Sequence, residues 1–349
     1  MFDVGTIIRQ NVLNLKPYSS ARDEFKGEAS VFLDANENSF GSPLTENYNR
    51  YPDPLQKKLK EKISTIKGVP PQNIFLGNGS DEAIDVLFRI FCEPKTDNVI
   101  ICPPTYGMYE VSANINDVEV RRINLLPSFE LDVERILESY DKHSKLLFIC
   151  SPNNPTANSF HADDVEVLIQ KFPGIVVIDE AYINYSKQKS AIRLLTEYEN
   201  VVVLQTFSKA WGLAALRLGM AFAPQIIIDY MNKVKPPYNI NQATQQLAMT
   251  SLDNIGWVNQ HIRETIAERK KLEDALQQNS LVEKIYSSDA NFVLVKVKDA
   301  QATYNYLVSL GIIVRDRSKV ALCEGCLRIT VGTESENRAL LNALTKFTA

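Results

Sequence analysis

Residues 200–219, NVVVLQTFSKAWGLAALRLG, combine an apolar run with polar side chains directly after it. The run is rich in valine and leucine without polar alternation, which is typical of a strand covered on both faces. Thr206, Ser208 and Lys209 follow at its carboxyl end. Arg217 lies eight residues after the lysine. These groups could form a Schiff base beside a phosphate, although a lone surface lysine is the more common case.

The same apolar pattern recurs on both sides of this stretch. Similar runs are NVIIC (98–102), KLLFIC (145–150), GIVVIDE (174–180) and GMAFAP (219–224). Amphipathic stretches, including DEAIDVLFRIF (81–91) and DDVEVLIQKF (163–172), lie between them. Strands that alternate with helices predict an α/β domain in which a mostly parallel sheet lies between helices.

A different pattern begins after the Pro236-Pro237 pair. A charged helical region covers about 240–279, and the apolar segments NFVLVKV (291–297), GIIVRD (311–316) and CLRITVG (326–332) follow it. This order predicts a smaller α+β domain, as expected for 349 residues, since single cores stop growing at about 250–300 residues. We therefore expect three parts: an N-terminal segment (1–44) that packs on the small domain, a large domain (45–240), and a linking helix with the small domain (241–349).

The composition argues against several classes of function. The formal net charge is −4, so we expect neither nucleic acid nor a membrane surface as a partner. The first residues do not resemble a signal peptide, and no apolar stretch is long enough to span a bilayer, which indicates a cytoplasmic protein. The 5 cysteines and 3 histidines are irregularly spaced, so we expect neither a disulfide framework nor a metal site.

A glycine-rich motif, GNGSDE (77–82), follows a short apolar run and opens a predicted helix. Glycine allows close backbone approach, and the free N–H groups of a helix start suit a phosphate. An ordinary helix cap by Ser80 or Asp81 is the simpler alternative. A dinucleotide-binding loop of a dehydrogenase is excluded, because the third glycine of GxGxxG is absent.

Two further polar motifs follow strands, where ligands bind in open α/β sheets. SPNNPT (151–156) offers the amide of Asn154, and DEAY (179–182) offers the carboxylate of Asp179. A plain turn and an ion pair are the alternatives for each motif alone. Together, the motifs supply a phosphate site, an amide, a carboxylate for a ring nitrogen, and a lysine, which are the groups that pyridoxal-phosphate (PLP) chemistry needs.

The chain resembles the fold-type-I PLP-dependent aminotransferases of class II over nearly its whole length. The resemblance is carried by NLKPYSSAR (14–22), LDANEN (33–38), RYPDP (50–54), GNGSDEAID (77–85), PPTYGMY (103–109), SPNNPTA (151–157), DEAY (179–182), TFSKAWGLAALRLG (206–219), IIVRDRS (312–318) and CLRITVGT (326–333). It implies a homodimer that exchanges an amino group between histidinol phosphate and 2-oxoglutarate in histidine biosynthesis. The products would be imidazole acetol phosphate and glutamate.

Carried over residue by residue, the resemblance implies three catalytic residues. Lys209 would hold PLP as a Schiff base and later move a proton between the substrate Cα and the cofactor. Asp179 would pair with the protonated pyridine nitrogen. Tyr182, together with Asn154, would donate hydrogen bonds to the phenolic oxygen of the ring.

The resemblance also implies the remaining contacts of the site. Tyr106 would stack on the cofactor ring, and Tyr51 would reach the cofactor phosphate of the second subunit. The phosphate of the subunit's own cofactor would be held by Ser80, Asp81, Thr206, Ser208 and Arg217. The substrate would be bound by Arg328, with Arg315, Tyr18 and Asn36 nearby.

One position departs from the family pattern. Ala157 stands where the family usually has glycine, so a positive φ there would strain the backbone. We interpret Trp211, two residues after Lys209, as a packing residue. An aromatic aminotransferase and an L-threonine-O-3-phosphate decarboxylase of the same fold remain alternatives. A non-catalytic PLP-binding regulator is a less favoured alternative. Its DNA-binding domain would precede the motifs, and these begin too near the N-terminus to leave space for one.

Overall fold

The computed structural model describes residues 2–18 and 30–347. Residues 19–22 of the NLKPYSSAR motif lie outside this part. The larger sheet consists of β1 (Ile74–Asn78), β2 (Asn98–Ile101), β3 (Glu119–Arg122), β4 (Ser144–Cys150), β5 (Ile175–Asp179), β6 (Val201–Thr206) and β7 (Leu218–Phe222). Its order is β1-β7-β6-β5-β4-β2-β3. The strands from β6 to β3 are parallel to one another, as predicted.

Strand β7 runs antiparallel to both β1 and β6. Because both of these strands oppose β7, β1 and β6 point in the same direction. The carboxyl ends of β1, β2, β4, β5 and β6 therefore meet at one edge of the sheet. The start of β7, next to Arg217, lies at that same edge.

The described helices are α1 (Gln10–Leu13), α2 (Lys57–Lys67), α3 (Gly79–Phe91), α4 (Met108–Ile115), α5 (Val133–Ser139), α6 (Ala162–Lys171), α7 (Gln225–Val234), α8 (Gln242–Leu252), α9 (Ile255–Gln277), α10 (Ala300–Ser309) and α11 (Glu334–Lys346). Short 3-10 helices lie at Val4–Thr6, Pro71–Asn73, Ile183–Tyr185, Ala191–Thr196 and Ala214–Leu216. None of the helices in the described ranges is both long and apolar enough to cross a membrane.

Both faces of the larger sheet are buried, which explains its unbroken apolar strands. In β4, Leu146 and Phe148 belong to the core that α3 covers. The alternate residues Leu147 and Ile149 belong to the core that α2 and α6 cover. Successive side chains of a strand point to opposite faces, so a sheet between two helical layers needs apolar residues at every position.

The second sheet has four antiparallel strands in the order β10-β11-β9-β8. They are β8 (Val282–Ile285), β9 (Phe292–Val297), β10 (Arg315–Asp316) and β11 (Cys326–Thr330). This sheet has its own core, to which α9 and α11 contribute leucines. The boundaries at residues 44/45 and 240/241 stay predictions.

The apolar segment 311–316 is a strand only at its last two residues. Gly311 has φ +74° and donates its N–H to Val308, while Ile312 donates to Leu307. These bonds satisfy carbonyl groups at the end of α10. The first residues of the segment therefore end the helix, and the strand begins only at Arg315.

The expected packing of residues 1–44 on the small domain is wrong for the described start of this segment. Val4, Ile8 and Val12 are buried in the core around α3 and α7 of the large domain. The Arg9 backbone and side chain also donate to carbonyl groups at the end of α3. Val4 begins the 3-10 helix and Val12 lies in α1, and these short helices direct their apolar residues into the core beside α3.

Candidate active site

A cleft of about 490 Å³, including the part open to solvent, lies at the carboxyl edge of the larger sheet. It is lined by Gly79, Ser80, Asp81, Tyr106, Cys150, Asn154, Asp179, Ala181, Tyr182, Thr206, Ser208, Lys209 and Arg217. Every residue for which we expected a contact with the subunit's own cofactor is present. The sheet topology explains this, because each motif follows a strand that ends at this edge.

One end of the cleft is the start of helix α3. No side chain caps this helix, so N–H groups of its first turn are available to a ligand. Gly79 has φ +72°. A Cβ on Gly219 would lie 2.2 Å from backbone atoms of Gly79 and Ser80. The glycines therefore allow β7 to pass close behind the helix start, as a phosphate site requires.

Arg217 connects the groups around this helix start. Its Nη1 donates to Ser208 Oγ (3.4 Å), and its Nη2 lies 3.6 Å from Asp81 Oδ2. The Ser208 backbone N–H donates to Thr206 Oγ1 (3.0 Å). Arg217 has φ +50°, a conformation that costs a non-glycine residue about 1–3 kcal/mol and is found most often at functional sites.

Asp179 lies at the opposite, buried end of the cleft and is only 2% exposed. Its Oδ2 accepts a hydrogen bond from the Tyr109 hydroxyl (2.7 Å), and its Oδ1 accepts one from the Ala181 N–H (3.0 Å). Burial raises the pKa of Asp179, whereas these two donors lower it. A buried carboxyl with two oriented donors is well suited to pair with a cationic ring nitrogen.

Tyr109 contacts Asp179 directly, and the sequence analysis did not single it out. It lies three residues after Tyr106, and its buried ring contacts the Tyr106 ring edge-to-face at 5.5 Å. The signal was available in the PPTYGMY motif, which places the two tyrosines three residues apart. The bond to Asp179 itself joins residues 70 positions apart, which spacing alone does not reveal.

The Lys209 amine faces the Tyr182 ring, 5.5 Å from its centroid. Burial lowers the pKa of Lys209, and the positive charge of Arg328 lowers it further, against the opposing effect of Asp179. A lower pKa increases the neutral fraction of the amine, which is its nucleophilic form. Burial also raises the pKa of Tyr182, so its hydroxyl stays a hydrogen-bond donor.

Asn154 links the two sheets across the cleft. It is 8% exposed, and its Oδ1 accepts a hydrogen bond of 2.5 Å from Arg328 Nη1 on β11. The guanidinium of Arg328 also lies 5.3 Å from the Phe292 ring centroid. Asn154 lines the cleft, and its Nδ2 group is a donor suited to a ligand there.

Other predicted residues take different positions. Tyr106 lines the cleft and donates to Asp81 Oδ1 (3.0 Å). Arg315 is the cross-strand partner of Arg328. Tyr51 stacks on Tyr238 at 4.5 Å, and it shares a separate groove with Asn36. Tyr18 is 74% exposed. The single chain therefore does not bring Tyr18, Asn36 and Tyr51 into the cleft.

The residues of the cleft fit PLP. A helix start with an arginine and hydroxyl groups suits a phosphate dianion, and the buried carboxyl at the other end suits a pyridinium. The lysine and the oriented amide lie between them. The donor set therefore matches the cofactor from its phosphate to its ring nitrogen.

Comparisons with known proteins agree with this geometry. Residues 28–344 match the model of the family described as aminotransferase class I and II. Histidinol-phosphate aminotransferase from Cytophaga hutchinsonii is 52% identical, covering 98% of this chain and 99% of that protein. The enzyme of the same name from Parabacteroides distasonis is 53% identical, with 99% of each covered. The chain belongs to the histidinol-phosphate aminotransferase family.

The fold agrees with this membership. A histidinol-phosphate aminotransferase from Sinorhizobium meliloti, solved in complex with pyridoxal-5'-phosphate, has a TM-score of 0.80 at 23% identity, with 89% of each chain covered. The family, the fold type, the cofactor PLP and the aminotransferase class that we predicted are confirmed. The histidinol-phosphate aminotransferase fold thus places the cleft where the motifs predicted it.

Proposed function

We propose that this family member transfers an amino group between histidinol phosphate and 2-oxoglutarate, with the residue roles given below. The observation that carries the proposal is Arg328, which reaches from the small sheet to Asn154 in the cofactor cleft. A guanidinium binds phosphate or carboxylate in the same bidentate manner. One arginine can therefore serve both substrates in turn, as transamination requires.

When bound, PLP supplies an electron sink for the negative charge that develops at the substrate Cα. We assign Lys209 the task of moving the proton at Cα, since its lowered pKa favours the neutral amine. A base positioned in this way accelerates proton transfer by about 10²–10⁴-fold. Tyr182 lies beside the amine, with its ring centroid 5.5 Å from Lys209 Nζ.

Asp179, Asn154 and Tyr182 are assigned to holding the ring. The Asp179 carboxylate, oriented by Tyr109 and Ala181, favours a protonated nitrogen opposite it. Asn154 Nδ2 and the Tyr182 hydroxyl are donors at the same edge of the cleft, suited to a phenolic oxygen. Ser80, Asp81, Thr206, Ser208 and Arg217 are assigned to the phosphate.

We also propose a homodimer. Several large apolar side chains before residue 52 are highly exposed in the single chain: Val31 (70%), Leu33 (83%), Phe40 (102%), Leu44 (61%) and Tyr51 (51%). Large exposed apolar side chains concentrated in one segment are typical of a protein interface. A second copy would cover them and bring Tyr51 towards the neighbouring cofactor phosphate, with Tyr18 and Asn36 towards the substrate. Location in the cytoplasm stays a prediction.

A visible spectrum of the purified protein tests the proposed substrates. Histidinol phosphate alone should bleach the yellow absorbance of the bound cofactor, and 2-oxoglutarate should restore it. Threonine phosphate and aromatic amino acids are the matched comparisons, with carbon dioxide release measured for the former. A protein that responds to either of these and ignores histidinol phosphate would establish one of the alternative activities instead.

A further inference from the structure

Three arginines gather on one face of the small sheet, next to the cofactor cleft. Arg315 and Arg328 are directly opposite each other on β10 and β11. Arg317 follows two residues after Arg315, and its backbone N–H donates to the Cys326 carbonyl (2.8 Å), which continues the ladder beyond the end of β10. Residues two apart along an extended chain share a face. The side chains of Arg315, Arg317 and Arg328 are therefore neighbours.

Asp316 lies between Arg315 and Arg317 in sequence and partly offsets the charge of Arg317, but it forms no ion pair with any of the three arginines in the part of the chain that the structure describes. No other carboxylate pairs with a member of this arginine cluster there, whereas Arg50, Arg121 and Arg122 all have acidic partners. The Nε atom of Arg317 and the Oγ atom of the adjacent Ser318 are both buried without a hydrogen-bond partner. Leaving a buried donor unpaired is unfavourable unless a ligand supplies the acceptor.

The electrostatics of the cluster agree with its geometry. Burial lowers the pKa of Arg317 and of Arg328, and in each case a neighbouring arginine of the cluster lowers it further. Mutual repulsion of this kind opposes folding, and it is relieved when an anion binds among the charges. The arrangement thus favours a ligand with more than one negative charge.

Arg328 joins the cluster to the cofactor cleft. Arg328 contacts Asn154, and both Arg328 and Arg317 act on Tyr182, whose pKa they lower against the dominant effect of burial. Tyr182 in turn lies beside the Lys209 amine. An anionic group held by these arginines would therefore be part of a molecule whose reacting end faces Lys209.

We propose that Arg317 is a substrate-binding residue that recognises the second negative charge of the phosphate monoester. This inference rests on the proposed function, and it concerns specificity between the two substrates. A carboxylate has one charge and two oxygens, which one guanidinium satisfies. A phosphate monoester carries about 1.5–2 negative charges at pH 7 and three acceptor oxygens. Arg317 supplies the additional donors, so it favours histidinol phosphate over glutamate.

The test compares Arg317→Gln and Arg317→Lys with wild-type holoenzyme, measuring the two half-reactions separately. For Arg317→Gln, kcat/KM with histidinol phosphate should fall about 10–100-fold through a higher KM, as expected for loss of a charged hydrogen bond. Activity with glutamate should change less than about threefold. Histidinol, which lacks the phosphate, should react equally poorly with both proteins. Arg317→Lys should lose less, because it keeps the charge without the fork.

Arg338→Gln is the matched control, since it removes an exposed arginine with the same change in net charge. Equal losses for histidinol phosphate and glutamate, or no loss for either, would overturn the proposal. If Arg317→Gln fails to retain PLP, Arg317→Lys decides by the same ratio between the two substrates. A wild-type enzyme that ignores histidinol phosphate would refute the proposed function itself, a result distinct from any failure of Arg317.

Discussion

Tyr109 determines how strongly Asp179 holds its charge. The Tyr109→Phe variant keeps the ring, which stacks on Phe148 at 4.7 Å, but it loses the donor to Asp179. Hydrogen bonds to charged groups contribute about 1.5–3 kcal/mol, so kcat should fall about tenfold. The Tyr109 donor lowers the pKa of Asp179; its removal raises that pKa further, and the acid limb of the pH–rate profile should move to higher pH.

The matched control for this variant is Tyr140→Phe, a tyrosine at the surface in edge contact with Phe172. Its pH–rate profile should overlay that of the wild type. If the acid limb of Tyr109→Phe stays in place while kcat falls, the hydroxyl serves packing and not the charge of Asp179.

We assign Lys209 two roles, covalent attachment of the cofactor and proton transfer, and one substitution tests both. Lys209→Ala should lose the visible absorbance of covalently held cofactor, and turnover should fall by at least about 10²–10⁴-fold, the usual contribution of a positioned base. Stopped-flow absorbance with excess histidinol phosphate measures both effects. Lys187→Ala, at an exposed position, is the control. Turnover near the wild-type rate in Lys209→Ala would remove this residue from the mechanism.

At the scale of elements, the loop after β4 carries the departure from the family pattern. Ala157 has φ +69° and is completely buried. This left-handed conformation costs an alanine about 1–2 kcal/mol, while burial of its methyl group contributes about 0.8 kcal/mol. We expect Ala157→Gly to unfold within a few degrees of the wild type, because the two effects oppose each other.

Ala157→Val should behave differently from the glycine variant. A β-branched residue is a strong outlier at positive φ, and the site has no exposed surface to accommodate the added carbons. The thermal midpoint should drop by about 5 °C or more, as expected for a loss of about 2–3 kcal/mol in a domain of this size. Equal midpoints for the valine and glycine variants would show that the loop relaxes.

The elements predicted best were those buried on both faces. Strands β2, β4 and β5 lie within one residue of the apolar runs, because no water-facing side interrupts the pattern. Strands β3 (EVRR) and β8 (VEKI) were missed, since they lie at sheet edges and carry exposed polar residues. Our interpretation of Trp211 as a packing residue is confirmed, because it is 5% exposed within the core.

The site was predictable to the extent that it follows strand ends. Each motif contributes a residue to one edge of the sheet, so sequence order was enough to assemble the cleft. The bonds from Tyr109 to Asp179 and from Arg328 to Asn154 join distant residues, and no local pattern encodes them. The N-terminal segment was misplaced for a similar reason, because its apolar residues do not show which domain they contact.

At the scale of the whole molecule, the exposed apolar segment predicts assembly. Phe40→Asp places a charge on a side chain that is fully exposed in the single chain. A charge at the centre of an apolar interface is strongly unfavourable, so sedimentation velocity should show a shift from dimer to monomer. Val308→Asp, on the exposed side of α10, is the control and should not change the sedimentation coefficient. A Phe40→Asp protein that sediments as the wild type does would contradict this interface.

Tyr51 offers a second, chemical measure of the same assembly. Tyr51→Phe should leave the dimer intact but weaken PLP retention about tenfold, because one hydrogen bond to a charged phosphate is lost. Dialysis of the holoenzyme followed by absorbance measures this release. Unchanged retention would argue that Tyr51 does not reach the neighbouring cofactor.

The Arg328–Asn154 hydrogen bond couples anion binding at Arg328 to the Asn154 amide in the cofactor cleft. An arriving anion competes with the amide oxygen for the same guanidinium, so occupancy of one alters the donor strength of the other. Cofactor colour should then respond to an anion that cannot react. Inorganic phosphate, added to the resting enzyme, should shift the absorption maximum of the cofactor. The spectrum would then report anion binding separately from any chemical reaction.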